Sequence, residues 1–173
     1  FMRLTEGLDE GPVYKNIVMN IENKDYFEVE SLLLKESLNN IRNVIKAITN
    51  GLKPKEQDHS KASIANKIHK NEGEINWAKK GSEIKNKFLA FKKWPNVFFK
   101  CGGVSVEAVE LQIHSNETGT PGEVHSFDHE SLKIYCGDGI VAITSVKFPG
   151  KKVIGPKDFF NSKRDIISKG DLL

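Results

Sequence analysis

The spacing of apolar residues along the chain is helical in the first half and strand-like in the second. The β-branched and apolar residues of 13–21 predict a strand, and Asp25 followed three positions later by Glu28 is a capping-box pattern that predicts a helix start. Gly51 is expected to end that helix. Apolar residues recur at intervals of three and four on one helix face: Leu34, Leu38, Ile41, Val44, Ile45 and Ile48. A glycine-containing loop, a strand and a helix are typical of part of an α/β sheet domain.

Residues 52–80 are polar and basic, which predicts a connector with a short helix near 62–69. Ser82 is expected to cap a second helix over 83–91. Pro95 prevents that helix from continuing, because the residue before a proline is disfavoured in the helical conformation.

From residue 97 onward, apolar and polar residues alternate with a period of two. Five short segments are predicted as strands: VFFKC, VSVEAVELQI, GEVHSF, LKIYC and IVAITSV. Turn residues separate them, and the Asp138–Gly139 pair predicts a hairpin. Pro156 marks the start of a last short helix. Short strands joined by glycine- and proline-containing turns indicate a small closed β-barrel.

The composition is that of a globular protein, with 38% hydrophobic and 28% charged residues. Every apolar run is shorter than the roughly 20 residues that span a bilayer, and the first residues lack the pattern of a secretory signal. We therefore expect a cytoplasmic protein without membrane contact. Cys101 and Cys136 are far apart in sequence, and we expect both to be buried free thiols.

Charge is strongly segregated along the chain. Residues 53–100 carry a net charge of +7 and residues 147–173 one of +4, whereas residues 101–146 carry −6. Two basic segments around an acidic one suggest a polyanionic partner. A solvated lysine-rich surface explains the same composition, and charge alone leaves both alternatives open.

The stretch EGLDEGPV places Asp9 between two glycines. A carboxylate in such a loop can orient a histidine or hold a water near a reacting centre. The alternative is a turn aspartate that bonds its own backbone, which is common. The residues alone favour the turn.

Two further groups have side chains of a functional type. The stretch HSFDHE contains four residues that can ligate metals: His125, Asp128, His129 and Glu130. They straddle a strand end and a turn, so we expect no metal site. Trp94, Phe99 and Tyr135 are candidates either for stacking on nucleic-acid bases or for core positions in the strands.

Several segments resemble methionyl-tRNA formyltransferases, along nearly the whole chain. RLTEGLDEGPV is similar to the loop that closes the formyl-folate site of that family, and NKFLAFKKWP is similar to the family's IRAFNPWP. NKIHKNEGEINW resembles a basic segment followed by an acidic-Gly-x-Ile-Asp/Asn-Trp pattern. The most specific match is CGDGIVAITSVKFPGKKVIGPKDFFNSKR with the final GDLL, which resembles the C-terminal barrel and tail.

The resemblance implies a role for Asp9 as the acidic member of an Asn–His–Asp catalytic group. In that role its carboxylate hydrogen-bonds the histidine and raises the histidine pKa by favouring the charged form. The loop residues Gly7, Leu8, Asp9 and Gly11 are then expected to contact formyl-tetrahydrofolate, the formyl donor, without any metal. The implied reaction is transfer of the formyl group to the amino group of methionyl initiator tRNA.

The chain departs from the family pattern at two positions and in its catalytic group. Leu89 replaces an arginine before the AFNPWP motif, and Lys93 replaces the first proline of that motif. In the family the Asn–His pair precedes the Asp loop, and neither His59 nor His69 has a comparable context. We therefore expect the chain to be a truncated portion of the enzyme that is catalytically inactive by itself.

The predicted fold class is α+β, in several parts. Residues 1–50 are expected to be the C-terminal part of a formyltransferase α/β catalytic domain, residues 51–96 a basic linker with short helices, and residues 97–173 an OB-like tRNA-binding barrel. A single compact α+β domain is the alternative fold. The alternative functions are a stand-alone nucleic-acid-binding module and a sugar-nucleotide formyltransferase. The basic linker and tail favour tRNA over a sugar nucleotide.

Phosphate contacts are expected from two groups of basic residues. The first group lies in the linker: Lys53, Lys55, Lys79, Lys80, Lys92 and Lys93. The second group follows the barrel: Lys151, Lys152, Lys163 and Arg164. Together they are predicted to form one electropositive surface on a monomeric protein, with the carboxylates of 101–146 facing away.

Overall fold

A computed structural model describes all 173 residues of the chain. It divides them into two compact units, Phe1–Lys67 and Ile68–Leu173. This division differs from the three predicted segments, because residues 68–96 belong to the same unit as the strands that follow. The catalytic, linker and tRNA-binding roles assigned to the three segments stay predictions.

The helices and strands have the following bounds. The helices are α1 (Tyr26–Thr49), α2 (Gly81–Ala90) and α3 (Pro156–Lys163), with short 3-10 turns at His59–Lys61 and Lys70–Gly73. The strands are β1 (Phe98–Cys101), β2 (Val104–Ser115), β3 (Val124–Phe127), β4 (Leu132–Cys136), β5 (Gly139–Lys147) and β6 (Val153–Ile154). None of the helices combines the length and hydropathy needed to cross a membrane.

Helix α1 dominates the first unit and begins as its sequence predicts. The Asp25 carboxylate accepts a hydrogen bond from the Glu28 amide at 3.0 Å, and the Glu28 carboxylate accepts one from the Asp25 amide at 2.8 Å. The predicted apolar face is present as a stripe along the helix. Only Val44 of that stripe is buried, and Leu38 is 66% exposed.

The predicted strand over residues 13–21 is wrong. The segment is extended, but only Val13 forms bridges, with Met2 and with Lys55. A strand needs a neighbouring ladder to satisfy its backbone groups. The backbone groups of Tyr14 and Lys15 bond only the backbone of Phe1, residues 16–21 pair with no strand, and Val18 is 93% exposed. The predicted short helix over 62–69 is also wrong, since those residues are exposed and no packing stabilises so short a helix.

The second unit is built on an antiparallel sheet of six strands. Their order is β1-β2-β5-β4-β3, and β6 pairs with β5. The five strands expected from the alternating pattern are confirmed at nearly the predicted positions. No ladder joins β1 to β3, so the strands form a curled antiparallel sheet, and its closure into an OB-like barrel stays a prediction.

The β4–β5 hairpin is confirmed, and its turn also fixes the start of α2. Gly137 and Asp138 form the turn, and the Asp138 carboxylate accepts a hydrogen bond from the Gly81 amide at 2.7 Å. The prediction that Ser82 caps this helix is wrong. The helix begins at Gly81 because Asp138, from another part of the chain, satisfies the first amide.

The core of the second unit lies between the sheet and the segments that precede and follow it. Residues 68–96 contribute four buried side chains to it: Ile75, Trp77, Ile84 and Phe88. From α3, Phe159 is only 1% exposed. Cys101 and Cys136 are buried free thiols, as predicted, and burial raises the pKa of Cys101.

Candidate catalytic loop and basic surface

Asp9 lies at the tip of a loop whose two ends are tied together. The Arg3 amide donates to the Pro12 carbonyl at 2.9 Å, and Val13 and Lys55 exchange backbone hydrogen bonds of 2.8 and 2.9 Å. Asp9 has a φ of +55°, in the left-handed region, which aspartate tolerates better than most non-glycine residues. Its side chain is exposed to solvent. The loop therefore presents a carboxylate from a fixed backbone.

Glycine is required where the two ends of this loop cross. A Cβ on Gly11 would overlap the backbone carbonyl of Arg3. A Cβ on Gly7 would meet only the Glu10 side chain, whose end can move. Of the two glycines that flank Asp9 in sequence, Gly11 thus sets the shape of the loop.

Gln57 holds the loop from a distant part of the sequence. Its side-chain amide donates to the carbonyl of Asp9 at 2.9 Å and to the carbonyl of Gly11 at 2.7 Å. The sequence analysis did not identify this residue. Gln57 lies 48 positions from Asp9, and no spacing or motif signals the contact; only its place two residues after Lys55, which pairs with Val13, brings it to the loop.

The loop borders a groove of about 790 Å³ in the first unit. Leu8, which is 93% exposed, and Asp9 form part of its lining, together with Tyr14, Lys55 and His59. The wall of the groove thus combines an exposed apolar side chain with a carboxylate. Of the four predicted contacts with the formyl donor, Leu8 and Asp9 line the groove, whereas Gly7 and Gly11 do not.

Most of the predicted basic residues are exposed, and some have partners within the protein. The exposed residues are Lys53, Lys55, Lys79, Lys80, Lys93, Lys151, Lys152 and Arg164. Lys79 forms an ion pair with Glu83 at 3.3 Å. Lys92 donates to the Val109 carbonyl at 3.0 Å and lies 4.0 Å from the centre of the Phe88 ring. Lys93 also has an interaction partner.

Within the second unit, two pairs of the predicted lysines lie at opposite ends of β5. The carbonyl of Lys79 accepts from the Gly137 amide, so Lys79 and Lys80 lie beside the turn that precedes β5. Lys151 and Lys152 lie in the turn that follows β5. A strand of nine residues separates the two groups by roughly 27 Å at about 3.4 Å per residue. These two pairs of lysines therefore do not form one compact patch.

Lys163 joins the second of these groups. Its ammonium lies 4.9 Å from the centre of the Phe148 ring, and Phe148 is the first residue of the turn that carries Lys151 and Lys152. Arg164 follows directly at the end of α3. The basic residues that follow β5 are thus brought together by the fold.

Asp128, one of the four potential metal ligands, holds a turn. The Asp128 carboxylate accepts from the amides of Glu130 and Ser131 at 2.8 and 3.0 Å. Burial acts to raise the pKa of Asp128, but these hydrogen bonds and nearby positive charges outweigh it and hold the pKa below its usual range. No group of three or more potential ligands converges anywhere in the chain.

The three aromatic candidates have different surroundings. Phe99 is only 1% exposed and packs edge-on against Trp77 in the core, so it cannot stack on a base. The Tyr135 hydroxyl donates a hydrogen bond to the Glu117 carboxylate at 3.2 Å. Desolvation raises the pKa of Tyr135, and this hydrogen bond raises it further. Trp94 is 55% exposed.

The second unit is a small α+β domain with a curled antiparallel sheet and a basic turn at one end. Residues 67–164 match the family described as formyl transferase, C-terminal domain, and the match begins one residue before the second unit. The chain belongs to this family. The resemblance found in the sequence is confirmed at this level.

Relatives and solved structures agree with the family. The chain is 30% identical to methionyl-tRNA formyltransferase of Pseudomonas entomophila and 35% identical to that of Campylobacter lari, over 99% of the chain and 56% and 55% of those proteins. It thus spans about half the length of the curated relatives it matches.

Two solved structures share its fold. HypX from Aquifex aeolicus in complex with tetrahydrofolic acid superposes with a TM-score of 0.63 at 18% identity, over 93% of this chain and 29% of that one. An N-formyltransferase from Helicobacter canadensis, in complex with folinic acid and dTDP-3-aminofucose, superposes with a TM-score of 0.56 at 21% identity, over 82% of this chain and 53% of that one.

Proposed function

We propose that this chain is part of a cytoplasmic enzyme that transfers a formyl group from formyl-tetrahydrofolate to the amino group of methionyl initiator tRNA. The observation that carries the proposal is the alignment of 99% of the chain with proteins named methionyl-tRNA formyltransferase. The loop of Asp9 supports it, because Gln57 and Gly11 hold an exposed carboxylate at the edge of a groove.

In this proposal the residues of the loop have distinct tasks. Asp9 orients a histidine and stabilises its charged form, and Leu8 contacts the formyl donor. Gly7 and Gly11 allow the loop to approach the donor closely. The 173 residues do not contain the family's Asn–His motif, which supplies the other two members of the catalytic group. In this proposal the chain alone is therefore not catalytic. The donor, when bound, supplies the formyl group.

The second unit is proposed to bind tRNA as an OB-like barrel. Its support is the group of basic residues that the fold gathers after β5: Lys151, Lys152, Lys163 and Arg164. Lysines contact phosphates and carry no sequence information by themselves. Binding through them should therefore depend steeply on salt and little on the tRNA sequence.

Two experiments test this function. Affinity of the chain for initiator tRNA, measured over a range of salt concentrations, should fall by about 0.7 to 0.9 log units per log unit of salt for each phosphate neutralised. Replacing Lys151 and Lys152 together by Ala should flatten that slope by about one to two units, whereas replacing Lys35 and Lys46, exposed on α1, should leave it unchanged. A salt-independent affinity would refute tRNA binding by this surface.

A formylation assay separates the alternatives. The chain alone should not formylate methionyl initiator tRNA. Activity that disappears in Asp9→Asn would show that the chain is catalytic by itself and contradict the assignment of missing catalytic partners. The structural neighbour solved with dTDP-3-aminofucose motivates the same assay with an amino-sugar nucleotide; binding of that nucleotide without tRNA binding would favour a sugar-nucleotide formyltransferase. If the chain binds tRNA but shows no formylation activity even when further protein segments are added to it, a stand-alone binding module is favoured.

A further inference from the structure

The outer face of the sheet carries an aromatic and basic surface that lies outside the predicted contacts. Along β1, Phe99 and Cys101 point into the core, so Phe98 and Lys100 lie on the opposite face. Phe98 is paired across the strands with Glu107, and Glu107 with Lys147. One row across three strands therefore presents an aromatic ring, a carboxylate and an ammonium group.

This row forms the floor of a cleft of about 270 Å³. One wall contains Lys70, Pro95 and Asn96, and the other contains Phe148, Pro149 and Gly150. The volume is just below the roughly 300–1,000 Å³ of typical small-molecule sites, which suits a ligand the size of a single nucleotide. All of these residues belong to the second unit.

The second wall has a defined shape. The Lys151 amide donates to the Phe148 carbonyl at 3.0 Å, and Gly150 has a φ of +69°. A proline followed by a glycine at positive φ is the sequence that a type II turn requires. Phe148 also packs against the core, and Lys163 lies over its ring. The wall is therefore held by the core, and the proposed phosphate-binding lysines continue directly from it.

Positive charge surrounds the cleft. Lys70 and Lys147 line it, and the Lys100 ammonium, which hydrogen-bonds Ser105 at 3.0 Å, lies 5.8 Å from the centre of the Phe98 ring. Glu107 is the one carboxylate in the lining. An anion alone would leave Glu107 without a hydrogen-bond donor, and an apolar ligand would not use the lysines. A ligand that combines a flat ring, a hydrogen-bond donor and a negative charge satisfies all three kinds of group.

We propose that this cleft binds one unpaired nucleotide of the RNA partner. The base stacks on Phe98, the phosphate is held by Lys70 and Lys147, and Glu107 accepts a hydrogen bond from an exocyclic amino group. Carboxylates accept in this way from the amino group of cytosine, so the cleft prefers cytidine to uridine, whose base has no such group. The proposal rests on tRNA being the partner and adds a site that reads a base, which the lysine contacts do not.

The test uses the full chain and two short labelled RNA oligonucleotides, oligocytidine and oligouridine, with affinities measured by fluorescence anisotropy. Phe98→Ala should weaken oligocytidine binding by roughly 5- to 150-fold, the effect expected for loss of one stacked base. Phe98→Tyr keeps the ring and should restore the affinity. Phe27→Ala, which removes a phenylalanine that is 52% exposed on α1, serves as the matched control and should bind as the parent does.

Glu107→Ala tests the preference for cytidine. It should bring the affinities for oligocytidine and oligouridine together, because the acceptor for the amino group is lost while stacking remains. Thermal unfolding of each variant identifies loss of fold. If Phe98→Ala is unstable, Phe98→Tyr keeps the test valid. An oligocytidine affinity of Phe98→Tyr well below that of the parent would overturn the proposal.

The remaining outcomes separate this site from the proposed function. Binding of tRNA but of neither oligonucleotide, or equal oligocytidine affinity in the parent and Phe98→Ala, would overturn the cleft and leave tRNA binding in place. Absence of binding to tRNA and to both oligonucleotides would overturn both proposals.

Discussion

Replacing Gln57 by Ala should loosen the loop that carries Asp9. The change removes two hydrogen bonds, to the carbonyls of Asp9 and Gly11. A neutral hydrogen bond contributes a net of about 0.5–1.5 kcal/mol. Gln57 is only half-buried, so water replaces part of what is lost, and we expect the loop to open more easily by about 1–2 kcal/mol. That free energy corresponds to a roughly 5- to 30-fold larger open population.

Amide hydrogen exchange measures this opening directly. The Arg3 amide bonds the Pro12 carbonyl and the Val13 amide bonds the Lys55 carbonyl, so both are protected only while the loop ends stay paired. Both amides should exchange roughly 5- to 30-fold faster in Gln57→Ala, under conditions in which exchange reports the equilibrium open population. Amides in the second unit should not change.

Two variants sharpen the interpretation. Gln57→Glu keeps the size of the side chain but places acceptor oxygens against two carbonyls, so exchange at Arg3 and Val13 should be at least as fast as in Gln57→Ala. Gln112→Ala, at an exposed position of β2, is the control and should leave these amides unchanged. Unchanged exchange at both amides in Gln57→Ala would refute the view that Gln57 holds the loop.

Three further predictions concern the second unit. Phe159→Ala should lower the free energy of unfolding by roughly 3–5 kcal/mol in urea denaturation, because a ring that is 1% exposed leaves a cavity in the core; a change below about 1 kcal/mol would contradict that packing. The pKa of Asp128 is lowered in the folded state, so the free energy of unfolding of the parent should exceed that of Asp128→Asn at neutral pH. This difference should disappear as the pH falls from 3.8, the ordinary pKa, through the folded-state pKa. A difference that persists in strong acid would contradict the charge effect. Cys101 and Cys136 should resist a thiol reagent in the folded chain and react after unfolding, because they are 4% and 2% exposed; rapid reaction of the native protein would show that the strands open.

The sequence predicted local structure well where the signal is local. The capping box at Asp25 and the alternation of the five strands depend on neighbouring residues, and both are confirmed. The prediction for 13–21 failed because β-branched residues favour a strand only when another strand is there to pair with it. The start of α2 was misplaced for a similar reason, since its first amide is satisfied by Asp138 from a distant hairpin.

The boundary between the two units could not be found from composition. Residues 68–96 are rich in lysine and were predicted to be a linker, yet a few buried side chains, among them Trp77 and Phe88, place this stretch in the core. Exposed lysines and buried apolar residues alternate closely here, so an average over the segment reports only the charge. The candidate site shows the same limit: Asp9 has a recognisable loop sequence, whereas Gln57 becomes part of the site only through folding.

Charge blocks along the sequence do not become charge blocks on the surface. The acidic segment 101–146 was expected to face away from a polyanion, but most of its carboxylates have structural tasks. Glu110 accepts from Thr144 and Ser145, and Glu117 accepts from Tyr135. Asp128 fixes a turn, and Asp138 accepts from the first amide of α2. A carboxylate that accepts such hydrogen bonds is held beside its donors. Its repulsion of a phosphate therefore depends on where the fold holds it and not on its place in the sequence. Glu107 differs, because it lies opposite Lys147 on the floor of a basic cleft. The fold thus leaves one acidic group where RNA is proposed to bind, and a carboxylate in that position makes physical sense as an acceptor for a base.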